Sequence, residues 1–258
     1  VELLGTDKVE ALLARSADDR QGQRMLAALV EAGGQPQDFG LVEAPVDAAA
    51  TAYVEWLGSA GVTRRQVGPT LERAFDALPP LSMQMCRALF LPTRSSWAGF
   101  FRSGISGSDP FLPMCGLAGQ LNARSMRICV SDRPSWPACI WEMYEPNTAA
   151  DAIHGARVRR VVAAASDGGR WTFVNHGAPF SFEEHQRYAM PRKRDRFDKA
   201  LLARYLEHLG LRPFDDVFYD VSALNRGILL EENDRWPNMP EYSLDEVRSE
   251  VPWHKRQP

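Results

Sequence analysis

"ARVRRVVAAASDGGRWTFVNHG", residues 156–177, is the stretch whose reading decides the fold class. Two runs of strand character flank Ser166, Asp167, Gly168 and Gly169, and an Asp-Gly pair supplies the positive φ angles that a tight hairpin requires. The segment predicts a β-hairpin. Toward the N-terminus, "LSMQMCRALF" (81–90), "SWAGFFRSG" (96–104), "RSMRICVSD" (124–132) and "PACIWEMYEP" (137–146) are short, apolar, aromatic-rich runs separated by Pro, Ser, Gly and Asp. They read as further strands. Toward the C-terminus, "DRFDKALLARYLEHLG" (195–210) predicts a helix, with one apolar stripe through Phe197, Leu201, Leu202, Tyr205, Leu206 and Leu209. Asp198 is placed to cap its start and Gly210 to close its end, and Phe197 and Leu202 stand at the positions of a hydrophobic staple. Beyond it the chain is rich in loops, with one expected strand, "GILLEE" (227–232), and a short helix, "SLDEVRSE" (243–250).

The first 80 residues read as helical. Val9, Leu12 and Leu13 fall at helical spacing, as do Met25, Ala28 and Leu29, and the segment from Pro45 to Gly61 repeats the design with Val46, Ala49, Tyr53, Val54 and Leu57. A fourth helix, "GPTLERAFDALPP", ends at two prolines. Helices first, then clustered strands, then helices again is an α+β order, and tight connections between successive strands favour an antiparallel sheet. The expected organisation is a helical region over residues 1–80 followed by an α+β domain over residues 81–258.

Composition narrows function by exclusion. The 258 residues are 45% hydrophobic and 24% charged with a formal net charge of −3, as in ordinary globular chains. Such a balance argues against general nucleic-acid binding, which needs a sustained excess of Lys and Arg. The opening "VELLGTDKVEALLARSADD" lacks a basic stretch followed by an apolar core, and no apolar run approaches the roughly 18 residues of a membrane span. Four cysteines without a C-x-x-C pair suit reduced thiols, and the expected location is cytoplasmic.

Cys115 is the one candidate nucleophile, since "SGSDPFLPMCGLAGQ" (106–120) leads through prolines into a segment that could begin a helix, where a thiolate is favoured. His176 on the far strand of the hairpin is the histidine that follows it in the right order for a base. A cysteine packed closely on a sheet as a small hydrophobe explains the same residues. The five histidines offer neither H-E-x-x-H nor a zinc-type spacing with a Cys pair, and "GISGSDP" matches no phosphate-cradle pattern, so neither metal nor cofactor is expected. The basic run holding Arg187, Arg192, Lys193, Arg194 and Arg196 is broken by Asp195 and Asp198 and reads as a solvated surface with local ion pairs. An RNA contact near Arg192 is its functional rival. The tail is opposite in sign: Asp215, Asp216, Asp220, Glu231, Glu232 and Asp234 stand among Phe218, Tyr219 and Trp236. Acidic groups among aromatics are what a protein offers a basic partner, and the candidate binding residues are Asp215, Asp216, Tyr219, Glu231, Glu232, Asp234 and Trp236.

From Trp97 to Tyr219 the chain resembles a group of uncharacterised bacterial proteins of the toxin-immunity type, through "SWAGFFRSGISGSDPF", "SDGGRWTF", "FEEHQRY" ahead of "RDRF", and "YLEHLGLRPFDDVFY". The resemblance implies a protein that binds and silences a toxin made by the same cell, and implies no fixed thiol at position 115. The expected function is therefore non-enzymatic binding of a protein partner. The alternative is a Cys-dependent hydrolase or transferase using Cys115 and His176.

Overall fold

The computed structural model describes residues 37–58, 61–105, 108–132, 137–147, 156–243 and residue 246. Their strands are β1 (Gln37–Val42), β2 (Val62–Gln66), β3 (Arg87–Pro92), β4 (Ala98–Arg102), β5 (Ser125–Ser131), β6 (Ala138–Pro146), β7 (Ala156–Asp167), β8 (Arg170–His176) and β9 (Ile228–Glu232). The helices are α1 (Val46–Leu57), α2 (Leu71–Asp76), α3 (Phe111–Leu121), α4 (His185–Tyr188) and α5 (Lys199–His208). The strands form one nine-stranded sheet in the order β2-β9-β3-β4-β1-β5-β6-β7-β8. Every strand pairing in it is antiparallel. The α+β, antiparallel reading of the sequence therefore stands for these residues.

The hairpin at 156–177 forms as its turn chemistry requires: Asp167 pairs with Arg170, and Gly168 and Gly169 take φ of 57° and 89°. The helical reading of residues 37–80 needs correction at two places. Gln37–Val42 is a strand between β4 and β5, and Val62–Gln66 is a strand paired with β9. The sheet thus takes strands from both sides of residue 80. The helices expected before residue 37 lie outside the described residues, as does most of the last expected helix. There, Ser243 and Glu246 exchange the hydrogen bonds of a capping box, Ser243 N–H to Glu246 Oε2 at 2.8 Å and Glu246 N–H to Ser243 Oγ at 3.2 Å.

The central strands are continuous apolar runs whose side chains alternate between the two faces, so both faces are apolar and the sheet carries two cores. Leu41, Leu89, Leu91, Trp141, Met143 and Val162 face a layer that includes α2, Phe197, Tyr205 and the rest of α5. Val42, Phe90, Phe100 and Tyr144 face α1 and α3. The approach of α3 depends on missing side chains: a Cβ on Gly40 of β1 would lie 2.5 Å from Met114 Sδ, and one on Gly116 would reach 2.7 Å from Cε2 of Trp56 in α1. Asp198 caps α5 by accepting from Leu201 N–H at 2.8 Å, and Phe197 and Leu202 are both buried. No helix among the described residues is long and apolar enough to cross a membrane.

Candidate functional site

The candidate binding residues fall into two groups. Arg87 at one end of β3 pairs with Glu231, while residues at the other end, Pro92 and Thr93, hold the loop before β9 through Asp220 N–H to Pro92 O (3.0 Å) and the Thr93–Tyr219 bridge. An extended strand of that length separates its ends by roughly 17 Å. Asp215, Asp216 and Tyr219 therefore share no single surface with Glu231, Glu232, Asp234 and Trp236. The first group serves structure: Asp215 Oδ1 accepts from Val217 N–H at 3.1 Å, Asp216 is buried, and Tyr219 is 0% exposed with its hydroxyl donating to Pro213 O at 3.1 Å.

The second group runs from the end of β9 into a tail clamped to the segment ahead of β3. Gln84 donates to Asp234 O at 2.6 Å and accepts from Trp236 N–H at 2.9 Å, and Leu81 and Tyr242 exchange backbone hydrogen bonds at 2.8 and 2.9 Å. Arg235 reaches back to Glu231 and forward to Glu241, the latter at 2.6 Å. Arg87 donates to Glu231 Oε1 at 3.0 Å from the other side and to Pro79 O. Burial acts to raise the pKa of Glu231, but hydrogen bonds and charge from Arg87 and Arg235 outweigh it and hold the carboxyl below the usual range. Glu232 goes the other way: burial raises it, Arg102 at 3.7 Å opposes only in part, and Asp234 adds to the rise. Most of the negative charge expected of this surface is thus neutralised within the chain. What faces outward is Trp236, 60% exposed, with the Asp234 carboxylate beside it in sequence and Met83, 59% exposed, next to the Gln84 clamp.

Cys115 lies in the middle of α3, not at its first residue, and is 1% exposed. Burial first, then the charge of Glu142, push its thiol up to about 12, so at neutral pH it stays protonated. His176 is exposed near the end of β8, and its carbonyl accepts from Arg160 Nη1 at 2.8 Å. The side-chain charge acting on the thiol is that of Glu142. In the basic run, Arg187 pairs with Asp198 at 2.7 Å, Arg194 with Asp195 at 3.5 Å, and Arg196 donates to Met190 O and stacks over Phe173. Among the described residues no group of three or more His, Cys, Asp or Glu is placed to hold a metal ion.

One cluster has no counterpart in the sequence reading. Arg160 and Glu183 form an ion pair with both side chains 0% exposed. Arg160 Nε donates to Glu183 Oε1 at 2.8 Å, and Nη1 donates to Asn175 Oδ1 at 2.7 Å and to the carbonyls of His176 and Gly177. Glu183 also accepts from Phe180 N–H at 2.8 Å and from the Tyr188 hydroxyl at 2.7 Å, which in turn meets Tyr205 Oη at 3.1 Å. Burial works to raise the Glu183 pKa, and these donors outweigh it and lower it. The cluster ties the hairpin to α4 and α5. The signal for it was an arginine at a core-facing register within the apolar run of β7.

No family model, curated protein or solved structure matches this chain.

Proposed function

We propose that the protein acts without catalysis, as an immunity-type inhibitor that binds and occludes a partner toxin through the surface around Trp236. The observation that carries this reading is a large aromatic side chain held outward on backbone that is fixed on both sides, by Gln84 and by Arg235. Rigid exposed aromatics lose little conformational freedom on binding and dominate interface energies. The Asp234 carboxylate beside it favours a partner with a basic group at the rim of the pocket that receives the indole. Glu231 and Glu232 enter as supports of the tail, since their charges are already met by Arg87, Arg235 and Arg102.

The test is co-expression, in a sensitive host, with candidate toxins sought among the products of neighbouring reading frames. The reading expects growth to be rescued by the native chain and not by Trp236→Ala, with both accumulating to the same level. Equal rescue by Trp236→Ala removes this surface from consideration, and the lack of rescue by the native chain removes the immunity function.

A further inference from the structure

At the far edge of the sheet a cavity of about 290 Å³ opens between α1 and the β2–β9 pair, lined by Asp47, Arg64, Arg65, Gln66, Arg226 and Ile228. It is distinct from the Trp236 surface: Gln66 pairs with Ile228 at one end of the β2–β9 ladder, whereas Trp236 lies beyond Glu232 at the other. By strand alternation Arg65, paired with Leu229, turns its side chain to the face opposite Arg64 and Ile228, so the arginines on the cavity's side are Arg64 and Arg226, against the one carboxylate of Asp47. The arginines are positioned by structure. Arg64 is held against α1 by Asp47 and by Thr51 Oγ1 at 3.3 Å. Arg226 ends the 3-10 turn Val221–Arg226, and the backbone after it is fixed by Gly227 N–H to Leu224 O at 2.8 Å and Val67 N–H to Gly227 O at 3.0 Å. Among the described residues Arg226 has no carboxylate partner, although the chain spends arginines on carboxylates in many other places.

We infer that this cavity is a site for a small phosphate-bearing molecule. Guanidinium groups bind oxyanions through paired, charge-assisted hydrogen bonds. A phosphate offers acceptors to donors arriving from several directions, as from Arg64 on β2 and Arg226 on the turn before β9, which a planar carboxylate does not. The volume is near the lower end for small-ligand clefts, roughly 300 Å³. Ile228 supplies an apolar lining for the rest of the molecule. Asp47 is the self-competitor, occupying Arg64 until the ligand arrives.

The experiment is titration of the full chain with inorganic phosphate at pH 7.5, followed by calorimetry and by arginine side-chain NMR signals, with acetate as the comparison. The site predicts saturable phosphate binding, weakened roughly tenfold in Arg226→Ala, as loss of a charge-assisted hydrogen-bond partner implies. Asp47→Asn frees Arg64 and tightens binding by about two- to fivefold, in keeping with the worth of an exposed ion pair. A cavity with no ligand role gives no saturation, or phosphate binding that neither variant changes, and either result overturns the inference. Acetate binding as tightly as phosphate overturns the phosphate assignment.

Discussion

Replacing Arg160 by Met keeps the aliphatic stem and removes the guanidinium from a fully buried ion pair. Glu183 is then left in the core with only Phe180 N–H and the Tyr188 hydroxyl, while Asn175 Oδ1 and the carbonyls of His176 and Gly177 lose their shared donor. Breaking a buried pair at one partner costs about 3–5 kcal/mol, a large part of the roughly 5–15 kcal/mol that holds a domain together. The pH dependence follows from the sign of the Glu183 shift. In the native chain its pKa is lowered from 4.5, so its stabilisation is fully present above pH 4.5 and is lost as the pH falls through the folded value. In Arg160→Met, burial acts without the arginine against it, so the pKa rises and the penalty present at pH 7 is relieved on acidification. Urea unfolding followed by circular dichroism at pH 7 and pH 4 should give a wide gap that narrows. Arg160→Met with Glu183→Leu should recover most of the loss, because an apolar replacement of the whole pair is often neutral. A single variant within about 1 kcal/mol of the native chain at pH 7, or a gap that does not narrow, refutes the reasoning.

Further expectations concern packing, capping and the thiol. Gly116→Ala forces a Cβ into the Trp56 indole and should cost about 1–3 kcal/mol as a lowered urea midpoint, with part regained when Trp56 is shortened to Leu. Asp198→Ala removes the N-cap of α5 and should cost about 1 kcal/mol in the same assay, whereas Asp198→Asn should retain most of the capping. Cys115, with a thiol pushed up to about 12 and 1% exposure, should resist alkylation at pH 8 in the folded chain and react once urea unfolds it. Rapid labelling without unfolding would show that α3 opens or that the thiol is activated.

What the sequence disclosed, and what it hid, follow from the range of the interactions. The β7–β8 hairpin and α5 were legible because their determinants are local: an Asp-Gly turn, an apolar stripe, and a cap one residue before the helix. β1 and β2 were not. "QDFGLV" pairs with residues around Phe100 and Ile128, and Val62 pairs with Glu232, so nothing near them in the chain announces a strand. The same distance in sequence hid the fate of the acidic tail. Glu231 looks free in a list of residues and is in fact held by Arg87, 144 positions away. Tyr219 reads as an exposed anchor by composition and is a core residue packed near Gly99 and Phe101. Trp236 survives as a candidate because Gln84, rather than the core, claims its backbone.

The account turns on whether that indole meets a partner. Calorimetric titration of a purified candidate toxin into the native chain, Trp236→Ala and Cys115→Ala is the measurement closest to the point. The account predicts affinity reduced roughly tenfold or more by the loss of Trp236 and unchanged by the loss of the thiol. Full affinity without Trp236, or affinity that disappears with Cys115, would contradict it.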